Sequence, residues 1–307
     1  MYALTMQECC CVVSFTRFLG IRLELRTQTT YKNRMSSVPA TPSLVATPAV
    51  ETFALVKQFG EFVAVDHIDL QVNRGSFFGF LGPNGAGKST TIKMLTGLLA
   101  PTSGKLKVLD FDIAEQPMEV KRRIGVVPED LNLFERLTGA EMLAFTGRMY
   151  GLRSEEIVQR SKELLELMEL QDDPKKLIIE YSHGMKKKLS LACALIHRPE
   201  ILFLDEPFEG VDAIASRTLK DLLSRLTTRG LTVFLTSHVL EIVERLCTDI
   251  AIIAQGKLLA SGSLNELRKG IRLEGDGAGP VSLEEYFIHV VGGTRTSGEE
   301  EVLQWLT

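Results

Sequence analysis

The run Gly82-Pro83-Asn84-Gly85-Ala86-Gly87-Lys88-Ser89-Thr90 brings glycines, one lysine and two hydroxyls together in a short stretch. From Gly82 to Ser89 the order fits G-x-x-x-x-G-K-[ST], a spacing suited to holding phosphate. Glycines let the backbone wrap closely and aim successive N–H groups at phosphate oxygens, where a Cβ would obstruct. Lys88 can reach β- and γ-phosphates, and the Ser89 hydroxyl can ligate Mg²⁺. A second stretch, Ile201-Leu202-Phe203-Leu204-Asp205-Glu206, is apolar and ends in two carboxylates. Asp205 suits a water-mediated hold on Mg²⁺, and Glu206 suits the polarising of an attacking water. Acids after a buried strand also serve as plain helix caps, so the phosphate loop is what gives this pair a chemical reading.

Such groups need rigid elements behind them. Residues 76–81 form a short apolar run that reads as a buried strand feeding the loop. Ile92, Leu95, Leu98 and Leu99 fall at helical spacing, so a helix is expected to start inside the loop and place its unpaired N–H groups and positive end at the phosphates. In parallel α/β sheets ligands bind at the carboxyl ends of strands, which sets Asp205 and Glu206 beside the loop. Residues 53–59 and Phe62–Val72 read as strands, and 105–109 as another after the turn Pro101-Thr102-Ser103-Gly104. Residues 124–128 read as a buried strand. Between 131 and 197 the chain turns helical: Ser154 is the expected cap of one helix, and a second runs over 183–197. On that second helix, Lys186-Lys187-Lys188 reads most simply as a solvated face, although a phosphate could also draw on it. After Pro199 the α/β alternation resumes: Ile201–Asp205 and 231–236 as strands, Ala213–Thr228 and 239–246 as helices, a hairpin at Gln255-Gly256, and a helix capped by Ser263 and Glu266.

With these residues in this order, the chain resembles the ATPase subunit of an ATP-binding-cassette (ABC) transporter over about residues 53–270. Tyr181-Ser182-His183-Gly184-Met185 stands where that family has its signature L-S-G-G-Q; Gly210-Val211-Asp212 resembles its D-loop, and His238 its switch histidine. The resemblance implies an α/β fold: a P-loop NTPase core with a small antiparallel β region and a helical subdomain at 131–197. It implies ATP and Mg²⁺ as ligands, with Glu206, His238 and Lys88 in catalysis. ATP would be held by Phe59 (stacking on adenine), by the loop from Gly82 to Thr90, and by Ser182, Gly184 and Asp212 meeting the nucleotide of the other subunit in a head-to-tail dimer. Ser89, Asp205 and Glu129 would serve the metal. The expected partners are a membrane permease, contacted through residues 131–152, and a second ATPase subunit, identical or related. Ser282-Leu283-Glu284-Glu285-Tyr286-Phe287 resembles tails of exporter-type members. Three positions depart from the pattern: His183 replaces a glycine and is expected to be strained, Met185 replaces a polar residue, and Glu129 replaces the usual glutamine.

Composition bounds the alternatives. The chain has 307 residues, 45% hydrophobic and 24% charged, with a net charge of −4, so there is no overall basic field to suggest nucleic acid. No apolar run approaches the roughly 18 residues that span a bilayer. Cys9, Cys10, Cys11, Cys193 and Cys247 form neither a disulfide framework nor a spaced metal motif, which points to the cytosol. Arg17 and Glu8 argue against a signal peptide. Residues 1–50 read as a disordered leader, 51–275 as the ATPase domain, and 276–307 as a tail with one helix. The expected location is the cytoplasm, at the inner face of the membrane through the permease. A soluble relative acting on ribosomes or DNA is the rival reading; it usually carries paired cassettes or a long coiled-coil insertion, and neither is present.

Overall fold

The computed structural model describes residues 47–171, 173–270 and 282–292. The cysteine triplet, most of the expected leader and the glycine-rich part of the tail lie outside those residues. The first unit is β1 (Val50–Phe59), β2 (Phe62–Val72) and β3 (Phe77–Leu81), leading through the glycine loop into α1 (Lys88–Leu95). Next come β4 (Ser103–Val108), β5 (Phe111–Asp112), α2 (Pro117–Lys121) and β6 (Ile124–Val127). The helical stretch is α3 (Gly139–Met149), α4 (Ser154–Leu167), a 3₁₀ turn at Ile178–Glu180, and α5 (His183–Leu195). Then β7 (Ile201–Asp205), α6 (Ala213–Thr228), β8 (Thr232–Ser237), α7 (Leu240–Leu246), β9 (Asp249–Ala254), β10 (Lys257–Ser263), α8 (Leu264–Gly270) and α9 (Leu283–Gly292) complete the order.

A six-stranded sheet in the order β10-β9-β3-β8-β7-β6 carries the chemistry, and a four-stranded sheet β2-β1-β4-β5 lies at its flank. Within the large sheet β9, β3, β8, β7 and β6 pair in parallel, and β10 joins as an antiparallel edge. Parallel strands are covered on both faces, so they read as continuous apolar runs. Side chains nonetheless divide with the pleat. Phe77, Leu81, Leu202, Leu204, Val233 and Leu235 join the core beneath α5 and α6. Phe78, Phe80, Ile201, Phe203 and Phe234 join the core shared with α1 and the small sheet. Phe234 stacks on Phe78 with ring centroids 5.4 Å apart, tying two strands at the sheet centre. Among the described residues no helix is long and apolar enough to cross a membrane.

Several sequence expectations are corrected. β1 starts at Val50, pairing with Val72, because Ala49 and Val50 are fully buried. Ser103 pairs with Val56, so Ser103 and Gly104 open β4 instead of closing a turn. Leu98 and Leu99 lie beyond α1, which stops at Thr96 before Gly97 turns left-handed (φ +68°). The cap of α4 is Arg153, not Ser154: its backbone is extended, and Glu156 Oε2 accepts from its N–H at 3.3 Å. α5 ends at Leu195, two residues before the expected His197. Finally, Lys187 and Lys188 are buried at 3% and 7% exposure, so the lysine triplet is no solvated face.

Candidate functional site: a phosphate cradle at the carboxyl ends of the strands

The loop after β3 is held from below. Ala86 N–H donates to Pro83 O at 3.1 Å, and Gly256 N–H, from the β9–β10 turn, donates to Ala86 O at 3.0 Å. Two glycines are required by space, and Gly87 also by conformation. A Cβ at Gly82 would fall 2.3 Å from Ile253 O, and one at Gly87 (φ +108°) would fall 2.5 Å from Ala64 O. Gly87 is also the N-cap of α1, with no side-chain cap bond, and no acid occupies the first turn. The first-turn amides therefore have no intrahelical partner and carry the positive end of the helix dipole.

These groups open into a cavity of about 450 Å³ lined by Asn84, Gly85, Gly87, Lys88, Ser89, Thr90, Glu129, Glu206 and His238, together with Phe62, Ala64 and Glu209. Lys88 is buried, and its Nζ donates to Gly82 O at 2.9 Å and Pro83 O at 3.3 Å, within 3.6 Å of Glu206 Oε1. Glu206 follows β7 directly with φ +46°, a conformation that non-glycine residues hold only where the surroundings impose it. Its N–H donates to Thr236 Oγ1 at 3.1 Å, while the Thr236 hydroxyl donates to Asp205 Oδ1 at 2.6 Å. One hydroxyl on the neighbouring strand thus holds the Asp205 carboxylate and the Glu206 backbone. His238 Nδ1 lies 3.1 Å from Glu206 Oε2. The other carboxylate oxygen, Oε1, is buried and has no hydrogen-bond partner.

The balance of charge decides what the site fits. Burial, and the nearby charges of Asp205, Glu209, Asp130 and Glu206, push the Glu129 carboxyl above the usual carboxylate range. Acids crowded this way favour a divalent cation. Lys88 and the free amides of α1 favour a polyanion. A nucleotide triphosphate with Mg²⁺ would satisfy both at once; Ser89 and Glu129 on the cavity wall, with Asp205 behind it, are the residues that could hold the metal.

Not every expected residue joins the cavity. Gly82 and Ala86 are buried under the loop, and Pro83 faces its outer side with Asn84 and Phe287. Asp205 sits just behind Glu206 at 4% exposure. Phe59 does not line the cavity; its ring lies 5.0 Å from Lys57 Nζ. Phe62, its partner across the β1–β2 turn, occupies the wall instead. Ser182, Gly184 and Asp212 form a separate cluster at the starts of α5 and α6. Ser182 Oγ accepts from Met185 N–H at 3.2 Å, and Asp212 Oδ1 accepts from Ile214 and Ala215 N–H at 3.0 and 2.9 Å. These amides hold the Asp212 carboxyl below the usual range. The strain expected at His183 is absent, because it is the first residue of α5 and takes no left-handed backbone; its ring stands 3.3 Å from Glu209 O. Sequence reasoning missed Phe62, Glu209, Thr236 and Lys187. Of these, only Glu209, an acid three residues past Glu206, left a signal near the motif.

Comparison with known proteins agrees with this geometry. A family model described as ABC transporter matches residues 65–209. The chain is 40% identical over 220 residues to the linearmycin resistance ATP-binding protein LnrL of Bacillus subtilis (strain 168), covering 72% of this chain and 70% of that one. It is 37% identical over 242 residues to the probable multidrug ABC transporter ATP-binding protein YbhF of Escherichia coli (strain K12), covering 79% of this chain but only 41% of the relative's length. A solved structure of an ATP-binding subunit of an ABC transporter superposes with a TM-score of 0.72 at 30% identity, covering 79% of this chain and 99% of that one.

Proposed function

The chain belongs to the ABC transporter family, and from that premise we propose that it binds and hydrolyses ATP to drive transport, in the export direction, through a separate membrane permease. The observation that carries this reading is the convergence of Lys88, Glu206, His238 and the free amides of α1 on one cavity. Lys88 and the loop amides bind and orient the phosphates. Glu206 accepts the proton of the attacking water, and His238 holds the Glu206 carboxyl in place. Ser89, Asp205 and Glu129 hold Mg²⁺, which when bound neutralises phosphate charge. Ser182, Gly184 and Asp212 sit at helix starts outside this cavity, which supports their serving the nucleotide of a second subunit. Relatives named for linearmycin resistance and for probable multidrug transport support export.

The surface expected to meet the permease has the right chemistry. Phe134 and Phe145 are exposed and packed edge to face at 5.1 Å, and Met149 is 72% exposed. A membrane protein recovered with this chain in mild detergent is the expected result; recovery with ribosomes alone would favour the soluble reading.

The adenine contact is divided between two rings. Phe62, on the cavity wall, is the better placed, so Phe62→Ala is expected to weaken ATP by roughly 1–3 kcal/mol, the magnitude of base–aromatic stacking. GTP should lose about as much, because stacking reads a π-face. Unchanged affinity in Phe62→Ala with a loss in Phe59→Ala, measured by fluorescent nucleotide titration, would return the contact to Phe59.

Glu129 offers a further test. Its pKa is raised, so its charge is lost as pH falls through a value above that of an ordinary glutamate. Turnover that depends on that charge falls with it. Glu129→Gln is expected to stay active, to need more Mg²⁺ for half-maximal rate, and to lose less activity on acidification. Superimposable Mg²⁺ titrations at several pH values would place Glu129 outside the metal's surroundings.

A further inference from the structure

Lys187 lies on α5, a turn beyond Ser182 and Gly184, and is 3% exposed. Its Nζ donates to Glu206 O at 3.1 Å and reaches Glu129 O at 3.5 Å. Both acceptors are main-chain carbonyls of acids that line the phosphate cavity, and they come from different segments, one after β7 and one after β6. Burying an ammonium costs several kcal/mol, and an apolar side chain of the same length would fill the space without that cost. The neighbouring lysines fasten the same helix elsewhere: Lys186 to Glu135 at 2.8 Å and Lys188 to Glu169 at 2.7 Å. Burial pulls the Lys187 pKa down, while the carboxylates of Glu209, Glu129, Asp205 and Glu206 hold it up.

We propose that Lys187 is a positioning residue for ATP hydrolysis: it ties the backbones of Glu206 and Glu129 to the helix that carries Ser182 and Gly184, and so sets where the Glu206 carboxyl stands. The inference rests on the ATPase reading above. Glu206 holds a left-handed backbone (φ +46°), and its carbonyl is the atom that Lys187 grips. Release of that carbonyl frees the peptide to rotate, and the carboxyl swings with it. In the same way, a shift of α5 reaches Glu206 through a single side chain.

The test compares Lys187→Met, which keeps length and removes the donors, with Lys187→Arg, which keeps charge and donors. Melting temperature, affinity for a fluorescent ATP analogue, kcat and KM are measured for each. Lys187→Met leaves two carbonyls without their donor, so it is expected to melt somewhat below wild type yet to bind nucleotide within about twofold. Its kcat should fall on the order of 10²-fold, the loss that accompanies a ~1 Å misplacement of a catalytic group, with KM little changed. Lys187→Arg should recover a large part of that loss. If Lys187→Met does not fold, Lys187→Gln, which keeps an uncharged amide donor on a shorter side chain, is expected to give an intermediate kcat at normal affinity. A wild-type kcat in Lys187→Met or Lys187→Gln overturns the proposal. So does a loss that follows the melting temperature and is not restored by arginine. Wild-type protein that binds nucleotide but does not turn it over would instead overturn the ATPase reading beneath it.

Discussion

Lys88→Ala is expected to abolish ATP turnover and to weaken nucleotide binding by roughly 1.5–3 kcal/mol, about 10- to 150-fold, the worth of hydrogen bonds to a charged group. The ammonium is buried, and its present partners, Gly82 O and Pro83 O, are loop carbonyls that it can leave for phosphate oxygens. It also stands 3.6 Å from Glu206 Oε1, so its loss leaves a buried carboxylate without a neighbouring cation. That second effect lowers the stability of the empty protein as well. Lys88→Met retains the apolar stem and separates packing from charge: it should lose nucleotide as severely while unfolding less readily than Lys88→Ala. Titration with a fluorescent ATP analogue gives the affinity; an unchanged value in both variants would remove Lys88 from the phosphate site.

Glu206→Gln separates binding from chemistry. The amide keeps the shape of the side chain and its contact with His238, but it cannot take a proton. Removing a general base of this kind costs about 10²–10⁴-fold in rate. Affinity for Mg-ATP should stay close to normal, because Lys88, Ser89 and the α1 amides are untouched. Protein that binds ATP without consuming it should then accumulate as an ATP-dependent dimer in size-exclusion chromatography if the chain pairs with itself. Near-normal phosphate release would assign the base to another residue, Glu129 and Glu209 being the other acids on the cavity wall.

How much of this was legible before the fold was known differs from residue to residue. The loop from Gly82 to Thr90 carries its chemistry in residue order, and the apolar run Ile201–Asp205 announces a strand buried on both faces. The rule that parallel sheets bind at their carboxyl ends then brings Asp205 and Glu206 to the loop. Thr236 was not legible, because its contact with Asp205 depends on the register Asp205↔Thr236 between β7 and β8. Lys187 was misread for a related reason. A lysine triplet looks solvated, yet successive helical residues point in different directions, and this one points into the sheet where two loops offer carbonyls. Phe59 and Phe62 flank one tight turn, and which ring faces the loop is a matter of strand orientation that composition does not encode. His183 shows the reverse: a departure from a motif that looked costly is tolerated, because the position is ordinary helix.

The central claim is that Glu206, held by Thr236 and His238 over the loop of Lys88, performs ATP hydrolysis. The most direct test is the identity of the nucleotide recovered from Glu206→Gln protein after prolonged incubation with Mg-ATP, beside wild type treated alike. The account predicts ATP on the variant and ADP on the wild type; ADP on both, formed at comparable rates, would contradict it.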